Sequence, residues 1–124
     1  MRILLDTHLL LWALGSPAKP SAASRKQIEA AEVYVSAASI WEISIKSSIG
    51  KLKADPAEVV AAVAPAGFSM LAITGEHAAK VIELPPLHKD PFDRVLIAQA
   101  LTEPMILLTN DEALRVYGPF VRLV

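Results

Sequence analysis

The chain of 124 residues contains no cysteine, which excludes disulfides and all thiol chemistry. It has only five glycines and no glycine-rich phosphate loop, so triphosphate binding of the P-loop kind is not indicated. Neither sign of charge dominates: 12 Lys and Arg oppose 13 Asp and Glu, for a net charge of −1. A basic nucleic-acid footprint is therefore absent globally, and any such surface must be local. No apolar run approaches the length of a membrane span, because charges interrupt each one. The N-terminus shows neither the basic region nor the cleavage site of a signal peptide, and with the lack of cysteine this makes the cytoplasm the expected location. Internal repeats and low-complexity tracts are also missing.

What is present is apolar. Hydrophobic residues make up 53% of the chain and mean hydropathy is +0.42. The length fits one domain, residues 1–124, large enough to bury a real core. Such a composition implies either dense packing or apolar surface awaiting a partner. Short apolar runs alternate with helical patterns. Strands are expected over 2–5, 33–36, 68–73, 105–108 and 120–123. Helices are expected over 7–14, 21–31, 39–49, 55–64, 74–84, from 90 onward, and over 111–116, with a loop at 16–20. Gly15 and Gly50 read as helix stops, and Asp55-Pro56 as a helix start with Asp at the N-cap and Pro at N1. Strands separated by helices predict a parallel sheet with helices on both faces, and continuous apolar strands such as ILL and MILL agree.

In open α/β sheets the binding crevice lies at the carboxyl ends of the strands. Asp6 follows the first strand, Ser39 and Glu42 the second, and Asn110 and Asp111 the fourth, while Asp90 and Asp93 open the longest late helix. Each acid has a structural reading. Ser39 to Glu42 has the form of a capping box, and Thr109 to Glu112 repeats the pattern. Taken singly, capping is the better account of Glu42 and Asp111. It does not explain why all the acids fall on one edge of the sheet. Two carboxylates 4 Å apart repel by roughly 4 kcal/mol at an effective dielectric near 20, so a cluster needs raised pKa values or a cation. With few histidines and no thiols the donors are hard oxygens, which suit Mg²⁺ or Mn²⁺. The expected centre is an ion shared by Asp6 and Asp93. Such an ion activates water and neutralises charge on a phosphate, which points to phosphodiester hydrolysis.

At these residues the chain resembles the PIN-domain ribonucleases, specifically the VapC-like toxins of toxin–antitoxin pairs. The matching segments are LLDTH, SAASIWEISIK, DPFDRVLIAQA and LLTNDEAL, in the family's order and across nearly the whole chain. The resemblance implies a three-layer α/β/α PIN-like domain with a mainly parallel five-stranded sheet. It also implies an acidic quartet, here Asp6, Glu42, Asp93 and Asp111, binding one or two Mg²⁺ or Mn²⁺ ions. Asp6 and Asp93 would be the main ligands. Glu42 and Asp111 would hold a second ion or metal-bound waters, and Thr109 would orient the site. Asp90 is read as an N-cap that can also support the site from outside. Implied partners are an RNA substrate, a cognate antitoxin peptide and a second copy of the chain, with no membrane.

Arg94, Lys89 and Lys46 are candidates for RNA phosphate contacts. The segment KSSIGKLKAD is a candidate basic strip. His8 is expected to be packed or hydrogen-bonded rather than a ligand, and His77 to be an exposed helix residue. Trp12, Trp41, Ile40, Ile43 and Ile45 read as core at first sight, although the early helices carry more apolar surface than one sheet face needs. Two rival functions remain: a non-catalytic interaction module whose acids are only caps, and a receiver-type phospho-acceptor. The latter needs paired acids after the first strand and an acceptor Asp after the third, and neither is present.

Overall fold

Ile3, Leu4 and Leu5 are fully buried, and their side chains divide between two cores. In the computed structural model, which describes residues 1–15 and 22–124, they form β1 (Arg2–Leu5). Ile3 and Leu5 join a cluster with Leu9, Leu10, Ile28, Val35 and Val59, while Leu4 joins Leu96, Ile97, Leu107 and Leu114. Alternation along one strand thus feeds both faces of the sheet. This produces three layers.

The elements run β1, α1 (Thr7–Ala13), α2 (Ala22–Glu29), β2 (Glu32–Ser36), α3 (Ala37–Ser48), α4 (Pro56–Val63), β3 (Ser69–Leu71) and α5 (Gly75–Lys80). A 3-10 turn at Val81–Glu83, α6 (Pro91–Thr102), β4 (Ile106–Thr109), a 3-10 segment at Glu112–Tyr117 and β5 (Val121–Leu123) complete the order. Sheet order is β3-β2-β1-β4-β5, and all four pairings are parallel. The expected fold class holds. Strand order reverses between β1 and β4, which is the topological switch point where such sheets open a crevice.

Several expectations shift for physical reasons. The strand expected over 68–73 shrinks to Ser69–Leu71, which is the sheet edge and pairs only with β2. The helix expected over 74–84 ends at Lys80 and tightens into the 3-10 turn, just before Pro85-Pro86 forbids continuation. The capping at Asp55-Pro56 appears as expected, with Asp55 accepting the Ala57 amide at 2.9 Å. The loop expected at 16–20, and the first residue of the helix expected from 21, lie outside the described residues.

Two burial expectations are reversed. Trp41 is 57% exposed, and with Ile45 and the C-cap residue Ile49 it forms an apolar stripe at i, i+4, i+8 along α3 and its end; of the five residues expected in the core, Ile43 alone is fully buried. The Trp41 ring meets Phe92 edge-on, with centroids 5.0 Å apart. His77 is not exposed but buried: its Nε2 lies 2.6 Å from Glu103 Oε2 and its Nδ1 accepts the Thr74 amide. The Glu103 contact pins α5 to the end of α6, and the Thr74 contact caps α5 itself. No helix among the described residues is long and apolar enough to cross a membrane.

Candidate active site

Parallel pairing places Leu5 opposite Leu108, so the residues that follow meet at the carboxyl edge. The Asp6 amide donates to the Leu108 carbonyl at 3.0 Å. Asp6 is then both the N-cap of α1 and a buried acid facing β4. Its Oδ1 accepts the Leu9 amide at 2.9 Å, and its Oδ2 accepts the hydroxyl of Thr109. Burial pushes the Asp6 carboxyl above its ordinary value, against the opposing effect of these hydrogen bonds.

Thr109, at the end of β4, is itself buried. Its oxygen accepts the Asp111 amide at 3.0 Å. Asp111 opens the 3-10 segment and accepts the Ala113 amide at 3.0 Å, as an N-cap. The capping reading of Asp111 therefore holds locally, and one carboxylate oxygen makes that bond.

Glu42 is different. Helix α3 starts at Ala37 with Ser36 as its N-cap, two residues before the expected start. Glu42 therefore sits in the second turn and caps nothing. It is buried, with Oε1 accepting from Thr7 Oγ1 at 2.7 Å and Oε2 from Lys46 Nζ at 2.6 Å. The Ser39 hydroxyl is 3.0 Å from that of Thr7. Lys46 was a candidate RNA contact; its ammonium is engaged with Glu42, which raises its pKa, with Asp90 and Asp93 adding to the effect. Glu42 is therefore a buried, twice hydrogen-bonded acid and not a helix cap.

Asp93 lies in the first turn of α6, where Asp90 is the N-cap and accepts the amides of Phe92 and Asp93. Asp93 Oδ2 is 2.8 Å from His88 Nε2. Its carboxyl is pushed up to about 6, chiefly by burial; Asp90 and Glu42 add to the rise and His88 opposes it. The sequence places His88 two residues before Asp90 and assigns it no role. Its position as the residue two before an N-cap acid was the available signal, but loop geometry alone does not aim a ring.

Among the described residues, His88, Asp93 and Asp111 each present one donor atom, all within 4.8 Å of one another. Asp6 and Glu42 are not members of that group. They border it instead: Asp6 through the shared Thr109, and Glu42 through its charge effect on Asp93. Asp93 and Asp111 thus come together with His88, while Asp6 and Glu42 stand beside them. Two of these acids are hard to ionise where they stand. A divalent cation would relieve both, so the donor set fits a hard ion.

One cation and one histidine are placed differently than expected. Arg94 does not face the rim. Its Nη1 reaches the carbonyls of Pro85 and His88 at 3.1 and 3.3 Å, and the Tyr117 hydroxyl at 3.4 Å; its Nη2 reaches the carbonyls of Val81 and Leu84 at 3.1 and 3.4 Å. Arg94 is a clamp on the segment leading into α6. Lys89 is exposed. His8 is exposed rather than packed, and lines a cavity of about 350 Å³ with Glu42, Lys46 and Lys51.

A family model for the PIN domain matches residues 3–118. No curated protein matches the chain. Solved structures do. VapBC2 from Rickettsia felis, bound to a DNA fragment from its promoter, aligns with TM-score 0.72 and 16% identity, covering 100% of this chain and 98% of that one. DNA-bound VapBC from Salmonella typhimurium aligns with TM-score 0.69 and 16% identity, covering 100% and 97%. VapC20 from Mycobacterium tuberculosis, a toxin that cleaves the sarcin–ricin loop, aligns with TM-score 0.63 and 16% identity, covering 97% and 98%.

Proposed function

Because the chain belongs to the PIN domain family, we propose that it is a Mg²⁺- or Mn²⁺-dependent endoribonuclease, the toxin of a toxin–antitoxin pair. The observation that supports this reading is the closeness of one donor atom each on His88, Asp93 and Asp111, all within 4.8 Å, beside Asp6, which Thr109 ties to the backbone of Asp111. A bound divalent ion would supply an activated water and charge neutralisation at phosphorus. Asp93 and Asp111 would hold it, with Asp6 as a further ligand. Thr109 orients Asp6 and fixes the backbone of Asp111 with one hydroxyl. Glu42, tied to Thr7 and Lys46, is the acid to orient or accept a proton from water beside the ion. Exposed Lys89 and the Lys46 ammonium are the cations proposed to meet RNA phosphates.

Partners follow the same logic. The exposed stripe of Trp41, Ile45 and Ile49 supports burial against a second copy or a cognate antitoxin, since a large apolar face on α3 is costly in water. The likeness to the VapBC structures described above supports an antitoxin partner.

Single substitutions Asp6→Asn and Asp93→Asn test the assignment. Both should lose metal-dependent RNA cleavage, and both should relieve growth arrest on expression. Cleavage at the unsubstituted rate by both variants would refute it. The interaction-module alternative predicts no shift in melting temperature on adding Mg²⁺ or Mn²⁺.

A further inference from the structure

The donor group nearest to a coordination shell includes a residue that is not an acid. We propose that His88 is a nitrogen ligand of the divalent ion held by Asp93 and Asp111, an inference that rests on the metal-dependent reading above. Donor atoms bound side by side in an octahedral shell of radius about 2.1 Å are separated by about 3 Å. His88 Nε2 and Asp93 Oδ2 are 2.8 Å apart, and Asp111 completes a triangle no wider than 4.8 Å.

The position of the ring is built, not accidental. His88 belongs to no helix or strand. Its amide donates to the Tyr117 hydroxyl at 3.0 Å, and its carbonyl accepts from Arg94 Nη1 at 3.3 Å. Both main-chain groups are therefore held by side chains from other elements. The same guanidinium grips the preceding turn, so the loop has little freedom to withdraw the ring. A neutral imidazole with its proton on Nδ1 offers the Nε2 lone pair to the ion.

One imidazole among carboxylates alters ion choice. Mg²⁺ favours an all-oxygen shell, whereas transition ions accept imidazole readily. The site should therefore bind Mn²⁺ in preference to Mg²⁺, and His88 should be the cause.

The test uses the full chain loaded with Mn²⁺ and read by electron spin-echo modulation, which detects nitrogen bonded to the ion. The unsubstituted protein and His8→Ala should show modulation from one imidazole. His88→Ala and His88→Gln should lose it while still binding Mn²⁺, with affinity lowered on the order of tenfold and Mg²⁺ affinity changed much less. His88→Gln keeps a donor for Asp93, so a role limited to positioning would leave its Mn²⁺ affinity unchanged and overturn the proposal. Modulation that survives in His88→Ala, or is absent from the unsubstituted protein with Mn²⁺ bound, would also overturn it while leaving the nuclease reading intact. Failure to bind Mn²⁺ at all would remove both.

Discussion

The hydroxyl of Thr109 donates to the carboxylate of Asp6, across the seam between β4 and β1. Because the same oxygen accepts the Asp111 amide, one small side chain couples the ends of two strands. Thr109→Val, which keeps the shape and removes the hydroxyl, should leave Asp6 without its side-chain hydrogen bond. The expected cost in stability is about 1–3 kcal/mol by urea denaturation, with at least a tenfold loss in metal-dependent cleavage. Thr109→Ser should restore most of both.

Asp93 gives the site a pH dependence of known sign. Its carboxyl binds a proton up to about pH 6 in the folded chain, but only to the ordinary value of 3.8 when exposed. Between these values the folded state holds more protons than the unfolded one, so stability falls as pH rises. Melting temperature without divalent ions should decline from pH 4 to pH 6 and then level off for this group. Asp93→Asn should remove that part of the decline. Mn²⁺ affinity, measured by calorimetry, should rise across the same interval with release of protons.

Lys46 joins Glu42 and lies within electrostatic reach of Asp90 and Asp93. Removing its charge should act in opposite directions on the two ligands. Lys46→Met should tighten Mn²⁺ binding, because a competing cation is lost, and weaken RNA binding. A variant in which both affinities fall would show that Lys46 matters only for packing around Glu42.

Arg94 and Lys89 should separate cleanly. Arg94 donates to four carbonyls and a hydroxyl, so Arg94→Ala should lower stability by about 2–3 kcal/mol. Lys89 is exposed. Lys89→Ala should leave the melting temperature unchanged and reduce the salt dependence of RNA binding by nearly one unit of slope.

The five strands, their parallel pairing and the proline-marked helix starts were legible in the chain, because continuous apolar runs and Asp-Pro caps are local signals. The role of Asp90 as a cap was legible for the same reason. Glu42 was not: its S-x-x-E spacing imitates a capping box, and only the start of α3 at Ala37 shows that it sits one turn inside. Nor was His77, whose polar side chain suggests solvent but which finds Glu103, 26 residues away.

The order of apolar and acidic residues by itself determined a parallel sheet with carboxylates at its carboxyl edge, since periodicity and helix-start chemistry act between near neighbours. Which groups share one oxygen's reach was decided by the tertiary structure alone. Strand register brings Thr109 to Asp6, and the clamp formed by Arg94 and Tyr117 brings His88 to Asp93. Donor geometry depends on distances between elements far apart in the chain, and those distances exist only once the two cores have packed against the sheet.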